Sequence, residues 1–354
     1  NTGSVSFMKE KGKRLLYLDL IRTFAVVCVF VVHFTRQFEY DGIARANDYK
    51  ILPDSFFSVY LGSYGVSLFF IVSGASLMYV YKDKFQLGTY LNKRFWGIYP
   101  MYWIAFILAF LYNFYINKGL TFACEKWTIL LTVLGMDGYL SCFFPNFYLV
   151  GEWFMGCIIL LYLIFPILRK GVLNYPKLTA AISLTVYVLG AFLFHSAMPT
   201  DTLFILRVPE LLVGMYFVCY FNKIKPVVAA IAAGFLAICA IFDFYGTPTI
   251  WIAPVVGVAS FIVLTFIADY VDCKLVRGIT QTVGKYCFAI FLTHHFVIAQ
   301  VMKRFYCFER ELRVSEVWLL FFVFCIVTAI ASKLLYELNR NVCGSIKGML
   351  AKEE

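Results

Sequence analysis

LLYLDLIRTFAVVCVFVVH, residues 15–33, is an apolar run broken by three strongly polar side chains, Asp19, Arg22 and His33. A helix needs roughly 20 apolar residues to cross the hydrocarbon layer of a bilayer, and this run continues to about residue 36. Its length and its internal charges argue against a cleaved leader, so it is expected to stay as a transmembrane helix. Comparable runs follow near 56–80, 95–115, 148–168, 178–196, 203–221, 226–243, 249–269, 283–302 and 314–336. The expected fold is therefore all-α, a polytopic transmembrane bundle of about ten spanning helices, because only helices and closed barrels satisfy their backbone groups in lipid.

Composition excludes an ordinary soluble domain. Of the 354 residues 62% are hydrophobic and 15% charged, and mean hydropathy is +0.79, against roughly 45–50% apolar and about 25% charged in soluble chains. The net charge of +10 comes from short basic clusters between apolar runs, the pattern of membrane topology; a lipid bilayer is the expected partner and nucleic acid is not. Cys28, Cys157, Cys219, Cys239 and Cys325 sit singly within apolar runs and read as small apolar fillers. No metal-ligand spacing occurs among the cysteines, and no metal is expected. Cys124, Cys142 and Cys307 lie in or beside connecting segments, where the sequence leaves a disulfide open.

A further stretch, 127–144, is broken by Gly135, Asp137 and Gly138 and followed by Pro145, and the positive-inside rule decides its status. If it does not cross, 19 of the 31 Lys and Arg fall on the amino-terminal side, nine on the other and three within helices. If it crosses, that bias disappears. The stretch is therefore expected to be interfacial or re-entrant, and both termini cytoplasmic. The segment 303–313, with four cations, is the exception. The chain then divides into a cytoplasmic segment 1–14, of which 1–7 precede Met8 and are set aside, a transmembrane domain 15–336 and a cytoplasmic tail 337–354. No internal repeat or low-complexity tract is present.

Ionisable groups in hydrocarbon cost roughly 2.5–3.5 kcal/mol each on insertion scales and need a partner, a wet cavity or a function. Arg22 and His33 are eleven residues apart, which returns to nearly the same helix face about 16 Å further along. Asp19, one turn before Arg22, can pair with it. His33 reads equally as a neutral imidazole hydrogen-bonded within a bundle, but Arg22 on its face favours chemistry, and imidazole is suited to take a proton from a hydroxyl. Arg207 and Glu210 in RVPELLVG read as an internal ion pair at an interruption caused by Pro209. Glu152 in GEWF could orient His33 or be a solvated helix-start carboxylate. His294 and His295 in FLTHHF point to adjacent faces, so at most one is expected to line the same cavity. Lys93 and Arg94 in KRFWGIYP read as topology anchors, or as cations for phosphates near a helix start.

These residues also carry a resemblance. The spacing from Arg22 to His33 is similar to the first-helix signature of the acyltransferase-3 family of bacterial membrane acyltransferases. GVSLFFIVSGASLM, with Ser73 and Gly74, resembles its second helix, and KRFWGIYP its basic stretch before the third. GEWFMGCIILLYLIFP, RVPELLVG and GKYCFAIFLTHH resemble three later helices in the same order. The resemblance runs from about Leu15 to Ser332. It implies transfer of an acyl group, usually acetyl, from cytoplasmic acyl-CoA to a hydroxyl of a cell-envelope glycan or lipid-linked saccharide. It further implies a catalytic role for His33, as general base or acyl acceptor, and a donor-site or structural role for Arg22; Arg22 and Glu152 are expected beside His33 in the catalytic set, and Arg22, Lys93, Arg94 and Ser73 at the donor site. Asp19, Arg207, Glu210 and His294 are expected to support the site. Gly97 stands where the family often has a second Arg, and Ile158 where many members have a Glu. A transporter of small saccharides or acyl compounds, or an inactive relative, is the alternative.

Overall fold

In a computed structural model, residues 15–43, 46–120, 122–221, 223–242, 244, 246–305 and 311–353 are described; the expected segment 1–14 and Cys307 lie outside them. The helices are α1 (Leu16–Tyr40), α2 (Leu61–Tyr81), α3 (Leu87–Asn117), α4 (Ile129–Leu134), α5 (Asp137–Leu140), α6 (Glu152–Asn174), α7 (Pro176–Leu193), α8 (Val208–Tyr216), α9 (Pro226–Ile241), α10 (Thr249–Ala268), α11 (Lys274–Phe305) and α12 (Val314–Glu353). A two-residue hairpin, Ser55–Phe56 against Val59–Tyr60, precedes α2. Among the described residues, nine helical segments are long and apolar enough to cross a membrane, and Pro226–Ile241 is a shorter apolar helix. The chain is an integral, multi-pass, all-α membrane protein.

The stretch 127–144 folds into α4 and α5, of six and four residues, too short to span. Gly135 at φ 71° ends α4 in the left-handed region that suits glycine. The run 203–221 is composite: a 3-10 turn at Phe204–Arg207, then α8, then a π turn at Phe217–Phe221. Pro209 sits in the first turn of α8, where its missing N–H breaks no helical bond. α12 continues unbroken through residues 337–353 of the expected tail, and Lys347 lies over the Trp96 ring of α3, 5.1 Å from its centroid. The ten described cysteines are all free, Cys124 and Cys142 among them.

α1 is central, in contact with α2, α10 and α11. α2 meets α8 at two glycines: a Cβ on Gly74 would fall 1.9 Å from the Leu211 carbonyl oxygen, and one on Gly214 would fall 1.9 Å from that of Ile71. Small residues let membrane helices approach closely enough for backbone to touch backbone. Gly74 thus turns one face of α2 onto α8 while its neighbour Ser73 faces a cavity beside α1.

Candidate active site

The cavity, about 650 Å³, is lined by Arg22 and His33 of α1, as their eleven-residue spacing requires. Arg22 donates from Nη1 to Asp19 Oδ1 and from Nη2 to Ser76 Oγ, both at 3.1 Å. Its guanidinium is therefore held by α1 and α2 together. Tyr60, from the hairpin, and Trp153, from α6, also face the cavity. Burial raises the Tyr60 phenol to about 12, with the Arg36 guanidinium opposing.

Glu152 reaches the same cavity from the head of α6. α5 is laid directly on that first turn: a Cβ on Gly138 would lie 2.4 Å from the Glu152 carbonyl carbon, and one on Gly156 would lie 2.4 Å from the Tyr139 Cβ. Gly151 has φ 93° and Glu152 itself φ 23°, a strained backbone of the kind that persists only where the surroundings over-determine it. Asp137 anchors this corner. It is buried, accepting from Thr132 Oγ1 at 3.1 Å and from the Tyr102 hydroxyl at 3.4 Å, while its main-chain oxygen accepts from Asn146 Nδ2 at 2.9 Å. Burial raises its carboxyl to about 6, the two hydroxyl donors opposing.

Three imidazoles surround the Glu152 carboxylate. His295 Nε2 lies 2.8 Å from Oε1, His294 Nε2 3.6 Å from Oε1 and His33 Nε2 3.9 Å from Oε2. His33 Nδ1 and His294 Nε2 are 2.8 Å apart. His294 Nδ1 lies 3.0 Å from the Ile290 carbonyl oxygen and 2.9 Å from that of Phe291. A carbonyl oxygen only accepts, so Nδ1 of His294 carries the hydrogen. In a neutral His294, Nε2 is then an acceptor; His33 Nδ1 must donate to it, and the lone pair of neutral His33 falls on Nε2. That lone pair is the base available to a hydroxyl in the cavity.

Of the residues singled out in the sequence, the structure brings Arg22, His33, Ser73, Arg94, Glu152 and His294 to this one cavity. Arg94 lies over the rings of Tyr90 and Tyr162, at 5.9 and 5.5 Å from their centroids, and its Nε is buried with no hydrogen-bond partner. Lys93, about 100° round the same helix, is exposed and lies off the cavity. Arg207 and Glu210 are also away from it, a fully buried pair at 3.1 Å with the guanidinium over the Phe70 ring. Asp19 acts through Arg22. His294 lines the cavity and His295 does not, as the adjacent-face argument requires. What that argument missed is that a carboxylate placed between two neighbouring faces is reached by both rings. The doublet HH was the signal.

One nitrogen from each of His33, His294 and His295 and one oxygen of Glu152 lie within 4.8 Å of one another, a grouping that could hold a metal ion. Without an ion the same groups are a chain of imidazoles and one carboxylate within 2.8–3.9 Å of one another.

The profile of the acyltransferase-3 family, described as an acyltransferase domain, matches residues 15–337. Acyltransferase MdmB of Streptomyces mycarofaciens is 26% identical over 174 residues, which is 48% of this chain and 43% of that protein. The matched part thus spans less than half the length of this curated relative. No solved structure matches significantly. With the family profile running from the start of α1 into α12, the chain belongs to the acyltransferase-3 family of membrane proteins.

Proposed function

We propose that this protein is a membrane O-acyltransferase that moves an acyl group, acetyl by preference, from acyl-CoA to a hydroxyl of a cell-envelope glycan or lipid-linked saccharide. The observation that carries the reading is the free lone pair of His33 Nε2, derived from the His294 carbonyl contacts, on the wall of a cavity that also holds two guanidiniums. Arg94 and Arg22 suit the phosphates of the donor, since guanidinium forks match phosphate oxygens. The thioester arm then runs along the cavity toward His33.

In the proposed step His33 Nε2 takes the proton of the acceptor hydroxyl as its oxygen attacks the thioester carbonyl. The tetrahedral intermediate collapses with cleavage of the C–S bond, and the leaving thiolate receives that proton from His33. An ester and the free thiol of CoA result. Glu152 stabilises the imidazolium formed in between, with Ser73 and Tyr60 as hydroxyl groups on the cavity wall. The basic clusters favour both termini and the donor on the cytoplasmic side, and the proposed setting is a bacterial cytoplasmic membrane.

Replacing His33 by Ala should lower acyl transfer by about 10²–10⁴-fold, the usual worth of a positioned base, in membranes holding wild-type amounts of the protein. Labelled acetyl-CoA and an acceptor saccharide measure it. Transfer retained at the wild-type rate would overturn the proposal.

A further inference from the structure

We propose that His33, Glu152, His294 and His295 form a binding site for a divalent transition cation of the zinc class, and that occupation of this site shuts off the base. The binding stands on geometry alone; the inhibition rests on the proposed role of His33.

Four ligand atoms of suitable type, three imidazole nitrogens and one carboxylate oxygen, lie within 4.8 Å of one another. Ligands on a tetrahedral zinc at about 2.1 Å stand roughly 3.4 Å apart, and the separations of 2.8, 2.8 and 3.6 Å lie on either side of that value. No pair stands beyond 4.8 Å, so side-chain shifts of up to about 1.4 Å accommodate the ion. The contact between His295 Nε2 and Glu152 Oε1 points the same way. These atoms are buried and only 2.8 Å apart, within reach of a single ion.

Metal-binding histidines commonly donate their second ring N–H to a carbonyl or carboxylate, which fixes the tautomer and leaves the other nitrogen for the ion. His294 does this with the Ile290 and Phe291 oxygens, so Nε2 is presented inward. The cavity lined by His33, Glu152 and His294 gives an ion its path. The sequence hid the site because its ligands stand at positions 33, 152, 294 and 295, on three helices; the proposal departs from the expectation of a metal-free chain.

When the ion takes the His33 nitrogen that now donates to His294, the ring hydrogen moves from Nδ1 to Nε2. Proton count is unchanged and no oxidation occurs, but Nε2 no longer has a lone pair for a hydroxyl. The same four side chains therefore act as a relay when empty and as a chelate when loaded.

The test uses the full-length protein in detergent, freed of metal with a chelator and titrated with Co²⁺ followed by Zn²⁺. The expected result is about one ion per chain, a four-coordinate cobalt absorption band that zinc displaces, and loss of both in Glu152→Gln and in the double variant His294→Ala/His295→Ala. The exposed His195→Ala variant should bind as wild type does. Monodisperse elution identifies variants that have not folded, and Glu152→Gln, which keeps size and shape, covers the case in which the double variant fails. Absence of the band in wild type, or its persistence in folded Glu152→Gln, would overturn the site. Acyl transfer measured in parallel separates the two ideas. Metal-free protein should be active and saturating Zn²⁺ should slow it at least about 10²-fold; an active enzyme that binds no metal sinks the site alone, and a metal-binding protein inactive until loaded sinks the base role of His33.

Discussion

At the scale of single residues, this site is governed by which atoms can only accept. Two carbonyl oxygens fix the His294 tautomer, His294 fixes that of His33, and the free lone pair is the consequence. Asp137 works by the opposite device, a carboxyl kept short of solvent. Its value near 6, above the ordinary 3.8, means that between those two pH values the folded protein holds a proton the unfolded chain has released. Stability from this group is therefore fully present below about pH 4 and is lost as pH rises through about 6. Two units correspond to about 3 kcal/mol. The thermal unfolding midpoint in detergent should fall across that window in wild type and lose this component in Asp137→Asn; an Asn variant with an identical pH dependence would rule the argument out. At this scale the sequence was partly legible. Helical spacing placed Arg22, His33 and Asp19 on one element, but nothing local to Glu152 shows that α5 holds it between three imidazoles from two other helices.

At the scale of elements, the close approach of α2 and α8 sets the shape of the cavity, because Ser73 and Ser76 present the opposite side of α2 to it. The contact is reciprocal: each glycine lies under a carbonyl of the other helix, with 1.9 Å left for any Cβ. Gly74→Ala and Gly214→Ala must each push backbone away from backbone, a change that usually costs about 1–3 kcal/mol. Both should lower the unfolding midpoint and the recovery of monodisperse protein. Gly97→Ala, with nothing within 4 Å of the added carbon, should raise stability slightly, since alanine favours the helix by up to about 1 kcal/mol. Equal effects at all three sites would show that helix propensity, not the crossing, is what matters. The helices themselves were readable because hydrocarbon forces every backbone group into a helix over a length set by the bilayer. Their ends were not: α3, α11 and α12 run beyond their apolar windows, into flanks where helix is allowed but lipid no longer demands it.

At the scale of the whole molecule, the question is which ends share a face, and contacts between helix ends answer it. Thr23 near the start of α1 reaches the Thr280 carbonyl near the start of α11. Arg169 near the end of α6 donates to the Tyr81 and Lys82 carbonyls at the end of α2, and Lys347 of α12 lies over Trp96 near the start of α3. Tyr216, closing α8, and Tyr220, in the π turn after it, donate to the Pro176 and Val172 carbonyls at the junction of α6 and α7. Chain order ties these ends into one basic face. From there the chain must reach the start of α10 on the opposite face, and α9 is the one helix available. With 16 residues it rises about 24 Å, less than the roughly 30 Å hydrocarbon layer. It crosses nonetheless: Ser58, in the hairpin before α2, donates to the Cys239 and Phe242 carbonyls at the far end of α9. The start of α1 and the end of α12 therefore lie on the same face, and two exposed native cysteines report on it. Cys142 lies before α6, on the face away from the basic clusters, and Cys273 lies before α11, among them. If α9 did not cross, Cys273 would change sides and join Cys142, and the Lys and Arg bias would shrink from 19 against 9 to 17 against 11. A membrane-impermeant maleimide applied to intact cells, with peptide mapping, should label Cys142 and spare Cys273 until the membrane is permeabilised. Labelling of both from outside would refute the crossing of α9, and with it the shared face of the two ends.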